Sequence, residues 1–152
     1  MKNRATVICC HEGKILLVAR AGSRWSLPGG SIKRTESPSD AARRELEEET
    51  SLVDVQVEYL FHFGGLSKRH HVFVAHLSGD ASPEPRNEIE RCEWFSTTKI
   101  ATLSTSVPTR EIVGLFTRHI RLDKSPSVKL EDYAVSETHE LAAAGPYRAS
   151  AS

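Results

Sequence analysis

No run of apolar residues in this chain comes near the ~18 that a membrane-spanning helix needs, so the sequence gives no reason to expect one. The opening Met-Lys-Asn-Arg runs into a strand-like segment without a signal-peptide pattern, and the expectation is a soluble, cytoplasmic protein. Cysteine is scarce: Cys9, Cys10 and Cys92 form no metal-ligand spacing, and three thiols with two adjacent make a poor disulfide framework. They read as reduced structural thiols. Net charge is missing too, since 20 Lys plus Arg offset 20 Asp plus Glu. Without a global field, neither a stable nucleic-acid partner nor a membrane surface is expected, and any polyanion site must be local. There is no internal repeat, and no nucleophile-elbow motif stands behind a Ser-His-Asp reading.

What is there fits one domain, assigned to residues 1–122, with a tail at 123–152 where Ser, Ala, Pro and Gly replace apolar residues. The tail is expected to be loosely attached; its 135–144 portion could form a short helix on the body or on a second copy, and a homodimer is left open. Residues 3–10 and 14–20 read as a β-hairpin turning at Gly13. Residues 25–27 look like a brief strand stopped by Pro28-Gly29-Gly30, where glycines let backbone approach a ligand. Ser37 as N-cap, Pro38 just inside and Asp40 as capping-box partner predict a helix from about Pro38 to Thr50. The alternation of Val53, Val55, Val57, Tyr59, Phe61 and Phe63 predicts a half-buried strand. Further strands are expected at 69–77 and 91–95, a helical turn near 97–101, and a second helix after Ser106 burying Ile112, Val113, Leu115, Phe116 and Ile120.

The predicted first helix carries unusual charge. At about 100° per residue, Glu45, Glu48 and Glu49 share an arc of roughly 100° with Ala41, Ala42 and Leu46 inside or beside it, while Asp40, Arg43 and Glu47 fall opposite. An exposed acidic helix would satisfy the wheel alone. Two features argue otherwise: Glu45 and Glu49 are like charges at i and i+4, and they lie near the negative pole of the helix dipole. Hard carboxylate oxygens so placed suit Mg²⁺ or Mn²⁺ shared with substrate phosphates.

The pattern Gly30, Glu36, Arg44-Glu45-Leu46, Glu48-Glu49, Ser51-Leu52 resembles the signature box of the Nudix hydrolases, with Ser51 where that family usually has glycine. The resemblance implies an α/β fold, a Nudix-like α/β/α sandwich with a mixed sheet and the loop-helix of the box packed against it. It implies divalent metal held by Glu45, Glu48 and Glu49, with the Gly29 carbonyl as a further ligand, and Glu36 and Arg44 as braces, Arg44 through a carboxylate. Glu45, Glu48, Arg44 and an added loop acid would carry catalysis; Glu88 is the first choice for that acid and Glu90 the second. The implied reaction is hydrolysis of a phosphoanhydride bond in a nucleoside diphosphate linked to another group, by metal-activated water. Diphosphoinositol polyphosphates, dinucleoside polyphosphates and a noncatalytic nucleotide-sensing module are the alternatives. Leu66 to His70 shows neither the proline nor the tyrosine that marks some family subclasses, and the run Lys68-Arg69-His70-His71 suits a highly phosphorylated ligand.

Beside the box, Arg20, Arg24 and Gly30 are taken as substrate-binding, the arginines because their forks suit phosphate. His70 and His71 face opposite ways on a strand and read as structural histidines first. For Trp25 and Phe73, core packing is preferred to base stacking.

Overall fold

The computed structural model describes residues 1–64, 67–80 and 82–119. Among them the order is β1 (Lys2–His11), β2 (Lys14–Arg20), β3 (Gly29–Ser31), α1 (Pro38–Thr50), β4 (Glu58–Gly64), β5 (Lys68–His76), β6 (Ile89–Ser96), α2 (Thr97–Ile100) and α3 (Val107–His119). The first hairpin turns on Glu12 and Gly13, both at positive φ, the two-residue geometry that matches strand twist. One sheet results, ordered β4-β5-β1-β2-β6, with β3 added beside β1. Only the β1–β5 pair is parallel, so the sheet is mixed, as expected.

β1 shares one edge between two partners. Near the turn it pairs with β2, Cys10 opposite Ile15, but at its start Arg4, Ala5 and Thr6 pair with Ser31, Gly30 and Gly29 of β3. β2 meanwhile swings away to run along β6. The divergence opens a cleft between the start of β1 and the end of β2. Residues 29–30 were expected to end a strand; instead they form one, because backbone without side chains can press against β1.

Both faces of the sheet are covered. Ala5, Val7 and Cys9 of β1 meet Ala41, Ala42 and Leu46 of α1, whereas Ile8 and Cys10 point to the layer of α2 and α3, where Ile112, Val113, Leu115 and Phe116 are buried. This is the expected α/β/α sandwich. Trp25 belongs to that second core, edge-on to Phe95 and under the Arg91 guanidinium, and Phe73 to the first, so both pack rather than stack on a ligand. The three cysteines are free thiols, and burial pushes Cys9 and Cys10 up to about 12.

α1 begins as its sequence dictates. The Ser37 hydroxyl accepts the Asp40 N–H, and Pro38 occupies the first turn. Only half of the capping box forms, since the Asp40 carboxylate pairs with Arg43. At the other end Ser51 takes the left-handed conformation, φ 68°, and its hydroxyl donates to the Glu84 carbonyl. Residues 84–87 then cover the last turn. The Glu84 and Arg86 N–H groups donate to the Thr50 and Glu49 carbonyls, and the Asn87 side chain donates to the Glu48 carbonyl at 2.7 Å. Left-handed backbone costs a non-glycine residue about 1 kcal/mol. Ser51→Gly and Ser51→Ala both lose the hydroxyl and differ only in that cost, so the glycine variant should be about 1 kcal/mol more stable in denaturant unfolding; equal midpoints would show that the left-handed turn is unstrained.

The strand predicted from Val53 onward starts only at Glu58. Positive φ at Ser51 and Asp54 breaks the extended path, and Val53 is 55% exposed. Its alternation is also interrupted: a register shift lies between Tyr59 and Phe61, so Tyr59 faces the α1 core while Phe61 and Phe63 face the other. Ile120 and the tail expected at 123–152 lie outside the described residues.

Candidate active site

On β1 and β5 the face that is apolar at Ile8, Val72 and Val74 becomes polar toward the strands' starts, at Arg4, Thr6, Lys68 and His70. The parallel register sets Arg4 beside His70. These residues form one wall of the cleft, about 380 Å³; Val18, Arg20 and Arg24 lie opposite, and Gly29 and Glu49 close the end toward α1. The predicted phosphate-binding residues Arg20 and Arg24 therefore share a cleft with a predicted metal ligand.

Arg44 organises the carboxylates of α1. Its guanidinium forks onto Glu36, Nη2 to Oε1 at 2.7 Å and Nε to Oε2 at 2.9 Å, and donates to the Ser31 carbonyl, tying the loop after β3 to the helix. The same pairing holds Glu36 down at about 2 and raises Arg44. Its Nη1 lies 3.0 Å from Glu45 and 3.3 Å from Glu48, so two carboxylates converge on one cationic nitrogen. Glu45 lies against Gly30: a Cβ added there would fall 2.2 Å from a Glu45 oxygen. Gly30 is thus the space that the Glu45 carboxylate fills.

Glu49 is 5% exposed, its carboxylate accepting the Gly29 N–H at 3.1 Å. Burial pushes its carboxyl up to about 7 against that hydrogen bond, and the charges of Glu45 and Glu88 push the same way. A buried acid among like charges is chemically suited to a divalent cation. Exposure rises along this face, with Glu49 buried, Glu45 at 14% and Glu48 at 47%. Among the described residues no three His, Cys, Asp or Glu side chains are gathered as a metal cluster. Glu45 and Glu48 are turned to Arg44 and Glu49 to the Gly29 amide, so the donor set fits a hard cation but needs side-chain rotation to enclose one.

Glu88 follows directly on the segment latched to α1, pairs with Arg20 at 3.0 Å and is near enough to Glu49 to oppose its ionisation. Glu90 is an exposed residue of β6. The residues that sequence reasoning missed are Arg4 and Thr6, which only the β1–β5 register brings to the cleft, and Asn87, whose positive φ is a feature of the folded loop.

His70 and His71 do face opposite ways. His71 meets the Asn3 side chain at 3.1 Å, and His70 bonds the Thr6 hydroxyl at 2.9 Å on the cleft floor. Burial, with Arg4 and Lys68 nearby, pushes His70 down to about 4. Its folded pKa is lowered, so below about pH 6.5 the unfolded chain takes up a proton that the folded chain refuses. Stability should fall as pH drops from 6.5 toward 4, by up to about 3 kcal/mol. Glu49, with its raised pKa, acts oppositely below pH 7, so the measure is the difference between parent and His70→Gln in chelator-treated urea unfolding from pH 7.5 to 4.5. A difference independent of pH would contradict the assignment.

Comparisons with known proteins point one way. A family model described as NUDIX domain matches residues 1–114. An RNA pyrophosphohydrolase from Bartonella henselae is 39% identical over 64 residues, 40% of this chain and 34% of that protein, so the chain matches about a third of the length of such curated relatives. A solved structure assigned to the nudix hydrolase family, from Chromobacterium violaceum, superposes with a TM-score of 0.71 at 28% identity over 99% of this chain and 94% of that one. The NUDIX domain of Shewanella oneidensis NrtR, solved with ADP ribose, has a TM-score of 0.67 at 20% identity over 75% of this chain and 84% of that one, a likeness of fold alone.

Proposed function

Because this chain belongs to the Nudix family, we propose that it hydrolyses a phosphoanhydride bond in a nucleoside diphosphate linked to another group, with Mg²⁺ or Mn²⁺. The observation that carries this reading is the position of Glu49: buried on the carboxylate face of α1, it also borders the cleft that holds Arg20 and Arg24.

In this reading Glu45, Glu48 and Glu49 hold the metal, with the Gly29 carbonyl as a further oxygen. When bound, a divalent cation supplies neutralisation of the phosphoryl oxygens, without which an anionic diphosphate repels a nucleophile. Arg20 and Arg24 receive phosphate oxygens from the opposite wall. Glu88, held near Glu49 by the latched loop, accepts the proton as water oxygen bonds to phosphorus and the bridging P–O bond breaks; Glu90 is the second choice. Arg44 and Glu36 keep loop and helix in register. Rigid placement of this kind is where an enzyme gains most of its rate.

The rival is a noncatalytic module that senses nucleotides. The box acids favour the enzyme, since sensing alone does not require them. A panel of nucleoside diphosphate derivatives, nucleoside triphosphates and dinucleoside polyphosphates, incubated with Mg²⁺ and with products identified by mass, should show release of a monophosphate or pyrophosphate. Binding without any product across the panel would favour the sensor. Among the described residues no helix is long and apolar enough to cross a membrane.

A further inference from the structure

Among the described residues four cations line the cleft, and one of them is neutralised. Arg20 is paired with Glu88, whereas Arg4, Arg24 and Lys68 make no ion pair among the described residues, and Arg4 Nε is buried without a hydrogen-bond acceptor. A buried guanidinium nitrogen lacking its acceptor is costly, and the natural acceptor for a planar fork is an anionic oxygen. Arg4 and Lys68 stand on the β1–β5 wall, across the cleft from Arg20 and Arg24. Between them the lining mixes apolar side chains such as Val18, Leu27 and Ile112 with hydroxyls, of which those of Ser23, Ser26 and Ser106 can donate to phosphate oxygens. Among the described lining residues His70 is the one aromatic ring, and its Nδ1 is engaged with Thr6. Among the described residues no indole, phenol or phenyl lines the cleft as a face on which a base would stack.

Taking the proposed function as the premise, we propose that the cleft selects small substrates by phosphate number, Arg4 and Lys68 binding at least one phosphate beyond the scissile pyrophosphate. In the proposed function the metal and Arg20 with Arg24 hold the diphosphate. The cations on the far wall match additional charge, and the balanced net charge of the chain favours a small polyanion over a nucleic acid.

Calorimetry on the full chain, free of metal, with orthophosphate, pyrophosphate and inorganic tripolyphosphate tests this independently of turnover. Tripolyphosphate should bind about tenfold more tightly than pyrophosphate, the gain expected from one charge-assisted contact. Arg4→Gln and Lys68→Gln should each weaken tripolyphosphate by about tenfold and pyrophosphate by less. Lys68 is exposed, so its variant keeps the test should Arg4→Gln fail to fold. Equal affinity for the two anions, equal losses on both in the folded variants, or tighter binding of a 5′-triphosphorylated oligonucleotide than of tripolyphosphate would each overturn the proposal. A chain that binds tripolyphosphate as described yet hydrolyses nothing supports the phosphate count and overturns the enzyme; hydrolysis without the binding order does the reverse.

Discussion

Replacing Glu48 by glutamine should reduce metal-dependent hydrolysis by about 10²–10⁴-fold while leaving the unfolding free energy within about 0.5 kcal/mol. The two expectations separate because of where the side chain lies. Glu48 is 47% exposed, and one of its oxygens lies 3.3 Å from an Arg44 nitrogen that also holds Glu45. Glutamine keeps the shape and a weaker form of that contact, so the fold loses almost nothing. It removes the charge a hard cation requires. Glu49→Gln should be equally inactive but more stable than the parent above pH 7 in chelator, because burial of the ionised carboxylate is relieved and the amide oxygen can still accept the Gly29 N–H. Activity of either variant within a few-fold of the parent would remove α1 from the chemistry.

Substituting Gly29 by alanine should cost about 3 kcal/mol or more and leave part of the protein unfolded at ordinary temperature. The added Cβ would lie 2.2 Å from the Ala5 carbonyl oxygen and 3.2 Å from its carbon, both backbone atoms in the centre of the sheet. Nothing flexible is available to yield, so β3 would have to leave β1. Gly30→Ala is the control one residue on. There the collision is with the Glu45 carboxylate, the far end of a side chain that can rotate. Stability should change by about 1 kcal/mol, whereas activity should fall with the displaced ligand. Thermal unfolding and turnover of the two variants, measured together, would show the effects trading places; similar melting temperatures would mean that the β1–β3 contact is looser than described.

How far residues alone reach is shown by comparing α1 with β4. Ser37, Pro38 and the helical spacing of Ala41, Ala42 and Leu46 are local signals, and both ends of α1 match them. The alternation that predicts a strand from Val53 continues into β4, and what stops a strand before Glu58 is backbone conformation at Ser51 and Asp54. The register shift after Tyr59 reverses which face the later aromatics meet, and no residue type announces it. The same division holds in the site. Glu45, Glu48, Glu49, Glu36 and Arg44 stand within one loop and helix, so the resemblance that names them is carried by residues near one another in the chain. Arg4 and Lys68 are 64 positions apart and become neighbours in the cleft only through pairing of β1 with β5, a fact of tertiary register.

The segment latched over the end of α1 has a consequence for how this chain tolerates change in length. Glu88 takes its place from Asn87 and the amides of Glu84 and Arg86, which are fastened to the carbonyls of residues 48–50. Its position is therefore independent of how many residues lead up to that fastening. Each doubling of a connection costs only about 0.6 kcal/mol. The stretch between Leu77 and Glu84 is where insertions can accumulate without moving Glu88, whereas a single residue added between Asn87 and Glu88 would carry that carboxylate away from Arg20.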